Sequence, residues 1–328
     1  MKRKLAFLLM LCFGWSFFLN GCGGTLPKTD DRLQVVCTIF PEYDWARQLT
    51  QGVNNVDLTL LVKNGTDLHS YQPSVRDIAM IARADVFCYV GGISDTWVND
   101  VLDTTENRTA QLVSMAEAAD ADEEVLAEGM QAEHEHDHHD DESDSHEEPP
   151  ELDEHVWLSL RRAALACTAM KEALCKADPA HEDIYNQNCT DYLQKLQELD
   201  SDFTEMTSQA ARDTIVVADR FPFRYLAEDY GLTYYAAFPG CSAETEASFE
   251  TIVFLSEKVE SLHLPCVLVT EGSNSSLAKT ILENAGSDGK ILTLQSLQAV
   301  SQKEIDAGVT YLSKMQENYD VLKQALNS

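Results

Sequence analysis

The sequence predicts an α/β fold in which two parallel-sheet α/β domains are joined by a long rigid helix. Three observations carry that prediction. Short apolar runs alternate with helical stretches from residue 33 to the start of an acidic block. The same alternation returns from residue 213 onward, and between the two lies a helix-rich span, residues 161–211, with Pro179 as its breaker. Strands that alternate with helices at this spacing pair in parallel through crossover helices, and each half then forms its own layered sheet.

In chain order, the first half reads VVCTIF as a strand, DWARQLTQG as a helix, VDLTLLV as a strand, SVRDIAMIAR as a helix and ADVFCYVGG as a strand. A helix near residues 97–102 and a short strand QLVS complete it. The second half reads DTIVVAD as a strand, then a helix RYLAEDYG closed by Gly231, then LTYYAAF, the helix ETEASFETIVFLSEKVESL, the strand PCVLVTE, the helix SLAKTILENAG, the strand KILTL and a terminal helix around residues 308–326. Residues 181–209 predict one helix, and a rise of about 1.5 Å per residue lets it cross a whole domain. A helical spacer of this kind implies little hinge motion. The resulting boundaries are residues 1–22 as an export signal, 23–32 as a tether, 33–160 as the N-terminal half, 161–211 as linking helices and 212–328 as the C-terminal half.

The chain opens on Lys2, Arg3 and Lys4, then a short apolar run, then Leu19-Asn20-Gly21-Cys22. A basic start and a short apolar core describe a secretory signal rather than a membrane-spanning helix, which needs about 20 apolar residues. Leu-Asn-Gly-Cys resembles a bacterial lipobox, which makes Cys22 a lipid anchor and the protein extracytoplasmic, lipid-anchored to the bacterial cell membrane. GGTLPKTDD then reads as a flexible tether. Seven cysteines follow, Cys37, Cys88, Cys167, Cys175, Cys189, Cys241 and Cys266. An odd count cannot pair completely, no C-x-x-C spacing occurs, and several sit in apolar runs, so structural thiols are expected, with disulfides permitted outside the cell but not compelled.

The formal net charge is −31. Nucleic acid is thereby excluded as a partner, because phosphate recognition needs basic surface. Much of the charge lies in residues 117–154, and it concentrates cations only within a Debye length of about 8 Å. Inside this block, EHEHDHHDDESDSH carries five histidines, His134, His136, His138, His139 and His146, among carboxylates. Imidazole suits zinc, copper and nickel, so the run reads as a weak metal collector too polar to build a core.

Ligands of open α/β sheets collect beyond the carboxyl ends of the strands. His69 in KNGTDLHSYQPS, His155 in LDEHVWLS, Asp219 and Arg220 after TIVVA, and Glu271 at the end of VLVT are all expected there. His181 and His263 lack such a setting and read as structural.

Two of these segments, NGTDLHSYQPSVRDI and LDEHVWLSL, resemble the G-x-D-x-H-x-Y-x-P and D-P-H-x-W-L-S motifs of the metal-binding subunits of bacterial zinc and manganese ABC importers. ETEASFETI and VTEGSNSSLAKTI resemble that family's later signatures, so the likeness covers essentially the whole mature chain. It implies a periplasmic-binding-protein-like fold with a helical backbone, an interdomain metal site, an ABC metal permease as partner, and a monomer. A histidine-rich acidic insertion implies Zn2+ as the bound ion, with Mn2+ as the alternative. Carried over by motif, His69 and His155 are metal ligands of the N-terminal half and Glu271 is a ligand of the C-terminal half.

One position departs from the pattern. The family's third ligand opens a segment that matches RFPFRYLAEDYGL, which puts Arg220 at that place. A guanidinium has no lone pair for a metal. Three completions stand open: Asp219 takes over, a loop histidine or water completes the site, or Arg220 stabilises Glu271 in a weaker site.

The expected function is capture of zinc and its delivery to the permease. The alternatives are a manganese or other divalent-metal subunit, or a metal-dependent adhesin lipoprotein. An exported zinc hydrolase is disfavoured, because it would need three protein ligands, an open coordination position and a general base, and no H-E-x-x-H helix is expected.

Overall fold

The structure is a computed structural model and describes residues 32–63, 65–105, 109–130, 152–242 and 246–328. Cys22 with its export signal, and the collecting histidines His134, His136, His138, His139 and His146, lie outside those residues. Strands β1 (Leu33–Cys37), β2 (Val56–Leu60), β3 (Val86–Tyr89) and β4 (Gln111–Ser114) form a parallel sheet in the order β2-β1-β3-β4. Strands β5 (Thr214–Phe221), β6 (Thr233–Pro239), β7 (Cys266–Thr270) and β8 (Lys290–Leu294) form a second parallel sheet in the matching order β6-β5-β7-β8. The central strands carry near-continuous apolar runs because helices cover both faces of each sheet, and four of the five residues of both β1 and β7 are buried.

The first half contains helices α1 (Phe40–Leu49), α2 (Val75–Ile81), α3 (Trp97–Thr104) and α4 (Met115–Ala118). Helices α5 (Leu160–Ala177) and α6 (Glu182–Ser208) link it to the second half, which contains α7 (Arg224–Asp229), α8 (Phe249–Ser261), α9 (Ser276–Asn284), α10 (Gln302–Asp306) and α11 (Tyr311–Asn327). Serine starts several of them. Ser74, Ser159 and Ser248 each accept a hydrogen bond from a first-turn backbone N–H and so satisfy a donor that the helix leaves open. The Ser248 cap starts α8 later than the residue pattern ETEASFETI suggests.

α6 is 27 residues long and buries Tyr185, Cys189, Tyr192, Leu196, Leu199, Phe203 and Met206. Their alternating spacing of four and three residues draws one apolar stripe down the helix. The stripe packs on α5, on α1 of the first half and on α11 of the second, within a single apolar core that runs through both sheets. Residues 33–328 accordingly form one unit. Hydrogen bonds reinforce the junction: Tyr311 Oη donates to the Trp157 carbonyl at 2.6 Å, the Tyr311 N–H donates to Asp44 Oδ2 at 2.7 Å, and Trp157 Nε1 donates to the Ser296 carbonyl at 2.8 Å. Among the described residues no helix is long and apolar enough to cross a membrane.

One reading of the sequence changes. Asp219 and Arg220 sit within β5 rather than on a loop after it, because the strand resumes pairing with β6 past a register shift and brings Arg220 opposite Phe238. The described parts of the acidic block are also docked. Glu123 bridges Leu152, Arg162 pairs with Asp122 at 2.5 Å, and Tyr225 Oη donates to the Asp153 carbonyl at 2.7 Å. Both edges of the histidine-rich segment are thereby held beside the second half.

Candidate metal centre

His69 follows β2 on a one-turn 3-10 helix, Leu68–Ser70. Asp67 Oδ1 accepts the His69 N–H at 3.0 Å and the fully buried Leu68 anchors the turn, so the imidazole beside it is largely buried as well. His155 precedes a second such turn, Val156–Leu158, in which Trp157 is fully buried and tied to Ser296. His155 itself is completely buried, and the two imidazole rings lie 5.5 Å apart between centroids.

The hydrogen bonds decide which nitrogen each ring offers. His155 Nδ1 stands 2.9 Å from Asp153 Oδ1, and a carboxylate only accepts, so Nδ1 carries the proton. His69 Nδ1 stands 2.7 Å from Ser94 Oγ, while the single hydroxyl proton of Ser94 goes to Glu154 Oε1. Ser94 must then accept from His69 Nδ1–H. Both rings are left with Nε2 as the free nitrogen, and both Nε2 atoms are buried without a hydrogen-bond partner. An acidic partner on the far nitrogen orients a metal-binding histidine and raises its basicity.

Burial and the neighbouring His155 hold His69 down at about 3, with Arg220 adding to the effect and Asp67 opposing it. At His155 burial also disfavours the proton, but the hydrogen bond and charge of Asp153, followed by the charges of Glu154 and Glu124, outweigh it and hold this imidazole above its ordinary value. The neutral His69 is thus a ready donor, and Asp153 holds the His155 ring through Nδ1.

A cavity of about 380 Å³ opens between the two sheets, with His69 and Asp67 on one wall and Asp219, Arg220, Gly240 and Glu271 on the other. It is far larger than the ~30 Å³ share of one water, and so is no fitted cage for a single ion. The structure brings His69 and His155 together as the sequence motifs suggest. Glu271 and Asp219 face the same cavity but are engaged. Glu271 accepts from the Ser296 N–H and hydroxyl, each at 2.6 Å, and Asp219 accepts from the Thr270 hydroxyl at 2.8 Å and from the Arg220 N–H at 2.9 Å. The Arg220 guanidinium reaches across to Asp67 at 3.0 Å rather than to Glu271. His181 pairs with Asp178 at 2.7 Å, as befits a structural histidine.

Among the described residues, the ligating atoms that gather within 4.8 Å of one another belong to His69, Glu154 and Cys241. Neither Glu154 nor Cys241 is a position to which the sequence motifs point. Cys241 lies just past the carboxyl end of β6 in FPGCS, so the rule that selected His69 and Glu271 would also have selected it. Glu154 carries no such signal, because only the fold brings it to Ser94.

A family model described as the zinc-uptake complex component A, periplasmic, matches residues 35–325. The chain belongs to this family. It is 32% identical over 324 residues to the zinc-binding lipoprotein AdcA of Streptococcus pneumoniae (strain ATCC BAA-255 / R6), a match covering 99% of this chain and 61% of that protein. The chain therefore spans about three-fifths of the length of that relative. The high-affinity zinc uptake system protein ZnuA of Bacillus subtilis (strain 168) is 29% identical over 325 residues, covering 98% of this chain and 96% of its own length. Among solved structures, the Zn(II)-bound ZnuA-like domain of Streptococcus pneumoniae AdcA superposes with a TM-score of 0.70 at 29% identity, over 90% of this chain and all of that one.

Proposed function

We propose that the protein captures a zinc ion outside the cytoplasm and delivers it to an ABC-type metal permease. One observation carries the reading: two adjacent imidazoles each have Nδ1 committed to a hydrogen-bond partner and Nε2 buried with none. A buried polar atom without a partner costs roughly 1–3 kcal/mol. A cation that takes both Nε2 lone pairs removes that cost, and zinc, which is satisfied by a four-coordinate mixture of imidazole, thiolate and carboxylate, suits the donors present. Manganese prefers carboxylate, carbonyl and water, so the imidazole pair favours zinc. The zinc-binding relatives support the same ion. Glu271, from the opposite wall, is the carboxylate that completes coordination once it releases Ser296. The protein acts as a monomeric binding component tethered through a lipid on Cys22 and turns over no substrate.

Zinc titration by calorimetry tests the reading. The intact protein should take up one ion tightly, and His69→Ala or His155→Ala should each abolish that event while leaving the unfolding transition of the metal-free protein in place. Tight binding that survives both substitutions refutes the site. The histidine-rich run acts in the same scheme as a collector. Its deletion, residues 133–146, should remove several weak zinc equivalents in native mass spectra and leave the tight one, since a polar segment must be ordered before it can coordinate. Loss of the tight ion would instead make a loop histidine part of the site.

A further inference from the structure

We propose that Cys241 is a metal ligand supplied by the second half, its thiolate joining His69 and His155 and biasing the site toward zinc over manganese. The inference rests on the zinc-carrier reading and adds to it a residue that sets ion preference. Two imidazoles, even with Glu271 once it releases Ser296, leave a four-coordinate ion one donor short. Arg220 offers no lone pair and is held by Asp67, and Asp219 has both oxygens engaged. Cys241 is free, buried, and has its sulfur within 4.8 Å of ligating atoms of both His69 and Glu154.

Its backbone is held in place for this role. The Cys241 N–H donates to Glu124 Oε1 at 3.3 Å, and a backbone hydrogen bond links its sulfur to Glu154. The preceding residue abuts the second imidazole: a Cβ at Gly240 would stand 2.9 Å from Cε1 and Nδ1 of His155 and 3.1 Å from the Phe221 carbonyl oxygen. Gly240 therefore lies against His155 while the Cys241 sulfur lies near His69, and only glycine permits so close an approach to His155. His155 Nε2, wholly buried and without a partner, is an independent sign that this corner awaits a ligand.

The chemistry balances simply. The thiol gives its proton to solvent as the sulfur–metal bond forms, and no electron is exchanged. Burial and the charges of Glu154, Glu124 and Asp153 push the thiol up, and a coordinated ion drives its deprotonation. Soft thiolate selects zinc and similar ions, whereas manganese gains little from it.

Cobalt(II) and zinc(II) titrations of the purified protein provide the test. The cobalt form should show an intense near-ultraviolet thiolate-to-metal charge-transfer band. Cys241→Ala should lose that band and bind zinc at least ~100-fold more weakly, with manganese affinity changed far less. Cys241→His should recover zinc binding without the band. A cobalt complex of the unmutated protein that lacks the band, or Cys241→Ala with unchanged zinc affinity, overturns the assignment while the zinc-carrier reading stands. Failure of the unmutated protein to bind zinc tightly overturns both. The spectrum of the unmutated protein needs no variant to fold, and Cys241→Ser preserves volume if alanine destabilises the metal-free protein.

Discussion

At the scale of single residues, the centre depends on proton positions. Ser94 has one hydroxyl proton and spends it on Glu154, which obliges it to accept from His69 and so turns the lone pair of that ring to Nε2. Removing the hydroxyl frees the ring to rotate or change tautomer, although Glu154 Oε1 stands 3.4 Å away and can partly substitute. Ser94→Ala should therefore weaken zinc binding about ten- to a hundredfold, in the range of losses from outer-shell partners, while the metal-free protein unfolds at nearly its original denaturant midpoint. Calorimetry alongside urea titration separates the two effects. Unchanged affinity would mean that Glu154 alone orients the ring.

At the scale of elements, α1 shows a start built without a capping side chain at its first position. Ile39 precedes the helix and cannot cap it. Glu42 instead folds back, and its Oε2 accepts the N–H groups of Thr38 at 2.7 Å and Ile39 at 3.2 Å. Burial, reinforced by the charge of Asp95 and opposed by those hydrogen bonds, pushes the Glu42 carboxyl from 4.5 up to about 8. A folded-state value above the unfolded one means that the native protein holds the extra proton. This group's stabilisation is complete below about pH 4.5 and is lost as pH rises through about 8, with a slope of at most ~1.4 kcal/mol per pH unit. Glu42→Gln keeps the accepting oxygen and removes the charge. Urea melts of the metal-free variant should show a flatter pH dependence over that window than melts of the unmutated protein, and parallel profiles would contradict the assignment.

At the scale of the whole molecule, two sheets share one core, because α6 lays its apolar stripe against helices of both halves. Tyr311 stands at the crossing, packed edge-on against Trp45 at 5.2 Å and bonded to the Trp157 carbonyl. The two halves should unfold in one transition, reported identically by far-ultraviolet circular dichroism and intrinsic fluorescence. Tyr311→Phe keeps the packing but deprives a buried carbonyl of its donor, so it should lower stability by about 1–3 kcal/mol without splitting that transition. Two separate transitions in either protein would show that the halves are independent. A shared core opposes a wide hinge motion, since opening the cavity widely would break contacts along α6.

Periodicity along the chain is enough to place the strands, the long helix and the order of the two halves, because each depends on which side chains recur at a spacing of two or of three to four residues. Motif spacing is likewise enough to place His69 and His155, since both sit in short segments next to the ends of elements. The partners that make them useful are another matter. Ser94 and Glu154 are 60 residues apart, Arg220 and Asp67 are 153 apart, and nothing local in either pair announces the other. In the sequence alone Arg220 is a departure at a ligand position with three completions open, and Cys241 is one of the seven thiols after Cys22. Only the packing of β5 and β6 against the first half turns the guanidinium toward Asp67 and carries the cysteine to the histidines, because coordination depends on distances of a few ångströms that chain position does not encode.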